Sequence, residues 1–167
     1  QASYPVYSVK GPDALTLLNY ISANNMDVSP GQIVYTQWLN VRGGIEADVT
    51  VTRIAVDEFM VVSACASELR DFYWLQKHAV NYHVTVDNRT EQTFMLGIMG
   101  PKSRGLLSRI ARQDVSDSML PYYKSHFFEE DGISFRANRL SYVGELGYEL
   151  YFDRTNAKKI FSRIEQE

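Results

Sequence analysis

Cysteine occurs once in these 167 residues, at Cys65. A single thiol excludes a disulfide framework and any metal centre built from cysteines. Inside "FMVVSACAS" it reads as a small apolar residue, expected to be buried rather than reactive. Histidine is scarce too. His78, His83 and His126 are scattered, with no His-x-x-x-His spacing, so no metal site is expected. No apolar run approaches the ~20 residues that cross a bilayer, and no signal-peptide pattern opens the chain. No membrane association is expected, and Asn88-Arg89-Thr90 is a chance match to a glycosylation acceptor. The expected compartment is cytoplasmic, or the mitochondrial matrix in a eukaryote. Seventeen basic against twenty acidic residues give a net charge of -3. That balance excludes a dedicated nucleic-acid binder, which needs a basic patch. Phosphate-loop spacing and a Gly-x-Ser-x-Gly elbow are absent as well, so Arg42-Gly43-Gly44 and Gly144 to Gly147 read as turns.

What is present is enough apolar residue for a core, 45% of the chain, and a pattern stated twice. "YSVKGPDALTLLNYI" (Tyr7 to Ile21) and "LGIMGPKSRGLLSRI" (Leu96 to Ile110) both run from a short strand through Gly-Pro into a helix. Pro12 and Pro101 suit a first helical turn, where a missing N–H is harmless. Leu15, Leu18 and Ile21 are expected on one stripe, and so are Leu106, Leu107 and Ile110. Paired strands follow each helix. "QIVYTQWLN", Arg42-Gly43-Gly44 and "IEADVTVTRI" predict a hairpin, continued by "EFMVVSAC". "SFRANRLSY", Val143-Gly144 and "GYELYF" predict a second. Helices are expected over Ser67–Val80, with Ser67 as N-cap, and over "TNAKKIFSRIEQ"; "YHVTV" is expected as a strand. The expected class is α+β, as two pseudo-repeated β-α-β-β units with mainly antiparallel sheets, residues 1–87 and 88–167. Tight strand connections argue against a doubly wound nucleotide fold.

In "IEADVTVTRI", alternate residues Ile45, Ala47, Val49 and Val51 are apolar. Glu46, Asp48, Thr50 and Thr52 form the other face. Periodicity leaves two readings of Asp48 open, a solvent-facing strand residue or part of a site. Glu149 poses the same choice, since "GYELYF" places it with Gly147 and Tyr151, opposite Tyr148, Leu150 and Phe152.

"VYTQWLNVRGGIEADVTVTRI", "IMGPKSRGLL" and "SYVGELGYELYF" together resemble the folate-binding region of the glycine-cleavage T-protein (aminomethyltransferase) family. "YTQWLN", followed after Val41 by "RGGIEADVTVTR", is most similar to the T-protein-like module of flavin-dependent sarcosine and dimethylglycine dehydrogenases. The resemblance covers nearly the whole chain and implies two related domains of a cloverleaf arrangement, continued by a further β domain in the family. It implies tetrahydrofolate as cofactor and transfer of a one-carbon (aminomethyl) unit to give methylene-tetrahydrofolate. It gives Asp48 the catalytic role, at the second of two acidic positions after the Gly-Gly turn. The first of those positions is Ala47 here. It makes Glu149 the pterin anchor, with Tyr35 and Tyr142 packing around folate and Thr50 and Thr52 beside the pterin. The implied partners are a methylated amine or its imine, with an N-terminal flavin domain or an aminomethyl carrier protein. Any FAD would sit in a domain separate from this chain. As a fragment of such an enzyme, the isolated piece is expected to be inactive. The alternative is a non-catalytic binding or regulatory module on the same scaffold.

Overall fold

A computed structural model describes residues 4–166. They divide into two compact units, one ending at Thr90 and the other beginning at Glu91. The expected boundary after Asp87 would fall inside a strand.

The first unit runs β1 (Val6–Lys10), α1 (Ala14–Ile21), β2 (Ile33–Leu39), β3 (Ile45–Ala55), β4 (Glu58–Ser63), α2 (Glu68–Ala79) and β5 (Thr85–Asn88). Its strands are ordered β2-β3-β4-β1-β5, all antiparallel. The alternation seen in the sequence decides the faces. Ala47, Val49 and Val51 of β3 enter a core with Tyr7, Val9, Leu17, Leu18 and Leu75, so the helices cover that face. The other face is not simply wet: Thr50 is 6% and Thr52 0% exposed.

The second unit runs β6 (Thr93–Met99), α3 (Ser103–Ala111), β7 (Ser125–Glu130), β8 (Ile133–Asn138), β9 (Gly147–Asp153) and α4 (Ala157–Glu165), ordered β6-β9-β8-β7. Its core gathers Leu107, Ile110, Phe128, Phe135, Tyr148 and Leu150.

The two sheets share one lattice. β1 pairs with β4 as β6 pairs with β9, and the offset is 89 residues in both strands, from Val6 to Met95 and from Val62 to Tyr151. The same offset carries Ala14 to Ser103 at the start of the first helix, and Glu68 to Ala157 at the start of the second. Corner contacts repeat too. Gly11 N–H donates to Asp57 O at 2.9 Å, and Gly100 N–H donates to Leu146 O at 2.7 Å. Strand order β2-β3-β4-β1 therefore recurs as β7-β8-β9-β6.

Several expectations need correction. The tight hairpin of the second unit joins β7 to β8 at Asp131-Gly132, both with positive φ (52° and 67°), a turn type suited to Asp-Gly. Val143-Gly144 lies in the longer connection from β8 to β9. β7 itself escapes the alternation rule because Phe127 and Phe128 are adjacent; Phe128 is buried and Phe127 is exposed. The buried stripe of α1 is Ala14, Leu17, Leu18 and Ile21, with Leu15 only half-buried. Cys65 is exposed, because β4 ends at Ser63 and Cys65 opens a 3-10 turn leading into α2. Ser67 stands before α2 but its side chain does not cap it; its Oγ accepts from Arg70 instead. The strand expected over Tyr82–Val86 starts only at Thr85.

Leu18 and Leu107 are repeat equivalents, each 0% exposed. Leu18→Ala and Leu107→Ala should each cost about 2–5 kcal/mol of stability, by a like amount within their own units. Chemical denaturation followed separately for each unit checks this.

Candidate functional site

The first cluster of candidates stands on the β2–β3 hairpin. Asn40 closes its turn. The Asn40 N–H donates to Gly44 O at 2.9 Å, and the Asn40 carbonyl accepts from Gly43 N–H at 2.9 Å. Its Oδ1 accepts from the N–H groups of Arg42 (2.9 Å) and Gly44 (3.0 Å), and its Nδ2 donates to Glu46 Oε1 at 2.7 Å. Gly43 takes φ 75°, and a Cβ on Gly44 would come within 2.9 Å of Asn40 Nδ2. The turn pairs Leu39 with Ile45, and a bulge between Trp38 and Leu39 then shifts the register by one residue, setting Gln37 across from Asp48 and Tyr35 across from Thr50.

That register gathers donors around Asp48. Tyr35 Oη–H and Gln37 Nε2–H both donate to Asp48 Oδ1, each at 2.9 Å. The Tyr35 phenol holds its proton more firmly than usual, first because of that bond to Asp48 and then through burial and the carboxylate's charge. Asp48 is exposed, at the wet end of the face whose other end is buried Thr50 and Thr52. A carboxylate with one oxygen pinned by two donors is aimed and still approachable, which suits electrostatic and positioning work.

Glu149 is the second candidate, in the second unit. Every residue of β9 from Gly147 to Phe152 is buried, so of the two readings left open for Glu149 the solvent-facing one falls. Glu149 is 8% exposed. Tyr151 Oη–H donates to its Oε2 at 2.5 Å. Burial pushes the Glu149 carboxyl above the ordinary range, and the bond from Tyr151 only partly opposes this. Across β6 its cross-strand neighbour is Gly97, which has no side chain and is exposed; across β8 it is the fully buried Asn138. The glycine puts no side chain on that flank of the carboxylate, and a Cβ there would come within 3.3 Å of the Met99 methyl. Tyr142 lies in the connection from β8 to β9 and is 62% exposed.

Asp48, Tyr35, Thr50 and Thr52 therefore share one sheet face of the first unit, and Glu149 belongs to the second. Sequence reasoning missed Gln37, because counting outward from the Gly43-Gly44 turn sets it opposite Ala47, and only the bulge between Trp38 and Leu39 brings it opposite Asp48. It also missed Asn138, an amide at the end of an otherwise alternating strand. Among the described residues no cluster of His, Cys, Asp and Glu could hold a metal ion, and no helix is long and apolar enough to cross a membrane.

Two antiparallel units on one lattice, with Asp48 on the face away from the helices in the first and Glu149 on that face in the second, define an internally duplicated α+β module. The chain belongs to the GCVT N-terminal domain family, which matches residues 2–167. It is 40% identical over 146 residues to 4-methylaminobutanoate oxidase (formaldehyde-forming) of Paenarthrobacter nicotinovorans, covering 87% of this chain and 18% of that protein. It is 31% identical to the mitochondrial dimethylglycine dehydrogenase of Homo sapiens, over 95% of this chain and 18% of the relative. The glycine cleavage system aminomethyltransferase T of Bartonella henselae has the same fold, with TM-score 0.84 at 25% identity over 97% of this chain and 43% of the other. The chain thus spans less than half the length of each of these relatives.

If Glu149 is a buried acid with a raised pKa, its protonated form is the one the fold prefers. Its contribution to stability is then full at low pH and is lost as pH rises through the ordinary carboxyl range and the raised value. Glu149→Gln keeps an acceptor for Tyr151 and removes the buried charge. The variant should unfold at a higher temperature than wild type near neutral pH, with the gap closing as pH falls. Thermal melts across that range check it.

Proposed function

We propose that this chain is the tetrahydrofolate-handling, one-carbon-transfer module of an amine-oxidising dehydrogenase or of an aminomethyltransferase. The observation that carries the reading is Glu149, a buried carboxylate whose neighbour on β6 is Gly97, a residue with no side chain. A carboxylate left in such a place is destabilising unless a ligand with N–H donors meets it. A pterin edge offers an amino group and a ring N–H side by side, and a carboxylate can accept both. Tetrahydrofolate, when bound, supplies the nitrogens that take up the one-carbon unit of a methylated amine or its imine as methylene-tetrahydrofolate.

The chain's own residues have separate tasks in this reading. Glu149 binds and orients. Asp48, steadied by Tyr35 and Gln37, holds a fixed negative charge where a cationic iminium would be stabilised. Thr50 and Thr52 form the buried continuation of the Asp48 face, and Tyr35 and Tyr142 supply aromatic area for packing against folate. Oxidation of the amine, and any FAD, belong to a flavin domain outside these residues. The methylated amine and an N-terminal flavin domain or aminomethyl carrier protein are the partners this assigns.

Two substitutions in the full-length enzyme separate the tasks. Asp48→Asn should remove most one-carbon transfer, about 3–4 kcal/mol of transition-state stabilisation, while leaving folate binding nearly intact. Near-normal formation of methylene-tetrahydrofolate would instead favour a non-catalytic module. Glu149→Gln opposes an N–H₂ group to a ligand donor, and should weaken folate by on the order of 2–3 kcal/mol, roughly 30- to 150-fold. Calorimetric titration measures it, and equal affinities would remove Glu149 from the site.

A further inference from the structure

The 89-residue lattice is complete on one side and open on the other. In the first unit a fifth strand, β5, closes the outer edge of β1, with Val9 opposite Val86 and Tyr7 opposite Asn88. In the second unit β6, the equivalent of β1, is the last strand of its sheet among the described residues. Its backbone shows which groups are left over. The Gln92 carbonyl accepts from Arg154 N–H, and Gly100 N–H donates to Leu146 O, so the even-numbered residues bond toward β9. Met95, Gly97 and Met99 therefore turn their N–H and C=O groups away from the sheet. Their equivalents are occupied. Val6 N–H donates to Thr90 Oγ1 at 3.1 Å, and the Val6 carbonyl accepts from Arg89 N–H at 2.8 Å.

The side-chain space is open in the same place. A groove of about 390 Å³ beside β6 is lined by apolar residues including Phe94, Leu96, Phe152, Ala157 and Phe161, together with Lys158. Its counterparts in the first unit are filled. Phe72, the equivalent of Phe161, stacks on Tyr7 at 5.7 Å. Glu68, the equivalent of Ala157, accepts from Asn88 Nδ2 of β5 at 2.8 Å. The corner glycines agree. Both have positive φ, yet a Cβ on Gly11 would strike the His83 carbonyl at 2.3 Å, whereas one on Gly100 would meet nothing within 4 Å. His83 and Val84 belong to the link that brings the chain from α2 into β5.

We propose that the outer edge of β6 and its apolar groove seat a short antiparallel strand, supplied by the polypeptide directly following α4 in the full-length protein. The connection is already rehearsed once: β5 begins at Thr85, six residues after α2 ends at Ala79. α4 starts at the position equivalent to the start of α2, and the relatives are more than twice as long as the region they share with this chain. The strand presents an apolar residue to Ile98, as Val86 does to Val9, and fills the groove between Phe94 and Phe161. An unpaired edge beside exposed aromatic rings would otherwise invite pairing between molecules.

The test uses the full-length protein. Amide exchange of Met95 and Gly97 should be slowed on the order of 100-fold relative to unstructured chain, as expected of paired strand amides. A photoreactive phenylalanine analogue in place of Phe161 should crosslink to the peptide immediately downstream of α4. Unprotected amides would overturn the proposal. So would a crosslink to a different domain or to a second copy of the chain, since each names another occupant.

Discussion

The register of the β2–β3 hairpin is the constraint on which the candidate chemistry depends, and Asn40 at the turn and the bulge between Trp38 and Leu39 set it together. One side chain accepts two backbone N–H groups and ties down Glu46, so the turn has a single closure. Because a strand's side chains alternate, a slip of one residue would send Asp48 into the helix-covered core and Ala47 out to the other face. The buried residues oppose that slip. Val49 and Val51 fit among Leu17, Leu18 and Leu75, whereas a carboxylate there would be desolvated without a partner. Turn chemistry and core packing differ by one residue, the bulge between Trp38 and Leu39 takes up the difference, and the Tyr35 and Gln37 bonds to Asp48 follow from the core register.

The duplication supplies scaffold and not chemistry. Asp48 sits on β3 opposite Gln37, and the corresponding pair in the second unit is Ser134 opposite Glu129. Glu149 sits opposite Gly97, and the corresponding pair in the first unit is Met60 opposite Ser8. The pattern of backbone pairing has been kept at both places while the side chains on the faces away from the helices have diverged. The two candidate acids accordingly stand on different strands and in different surroundings. One acid is exposed and braced by donors, the other buried and raised in pKa by desolvation.

Much of this was legible in the sequence because it is governed by short-range rules. The Gly-Pro corners, the Gly43-Gly44 turn and the two faces of β3 follow from steric and periodic constraints within a dozen residues. The second unit was harder. Asp131-Gly132 carries the stronger hairpin signal, but its flanking strand breaks alternation at Phe127-Phe128, and Gly144 offered a rival turn. Cys65 looked buried because its neighbours are apolar, yet the strand stops two residues earlier. Burial of the Glu149 face could not be read from "GYELYF" at all. A strand covered on both sides and a strand covered on one differ in what lies above them, which no local pattern records.

β3 is eleven residues long, and β4 accompanies it only from Val49 onward. From Ile45 to Asp48 it pairs with β2 alone, but β2 is itself backed there by Ser22, which bridges to Trp38, and by Ala23, whose N–H donates to Gln37 O at 2.9 Å. The few residues after α1 thus act as a splint along the outer edge of β2. The strand that carries Gln37 is held from both sides opposite Asp48, where β4 no longer reaches.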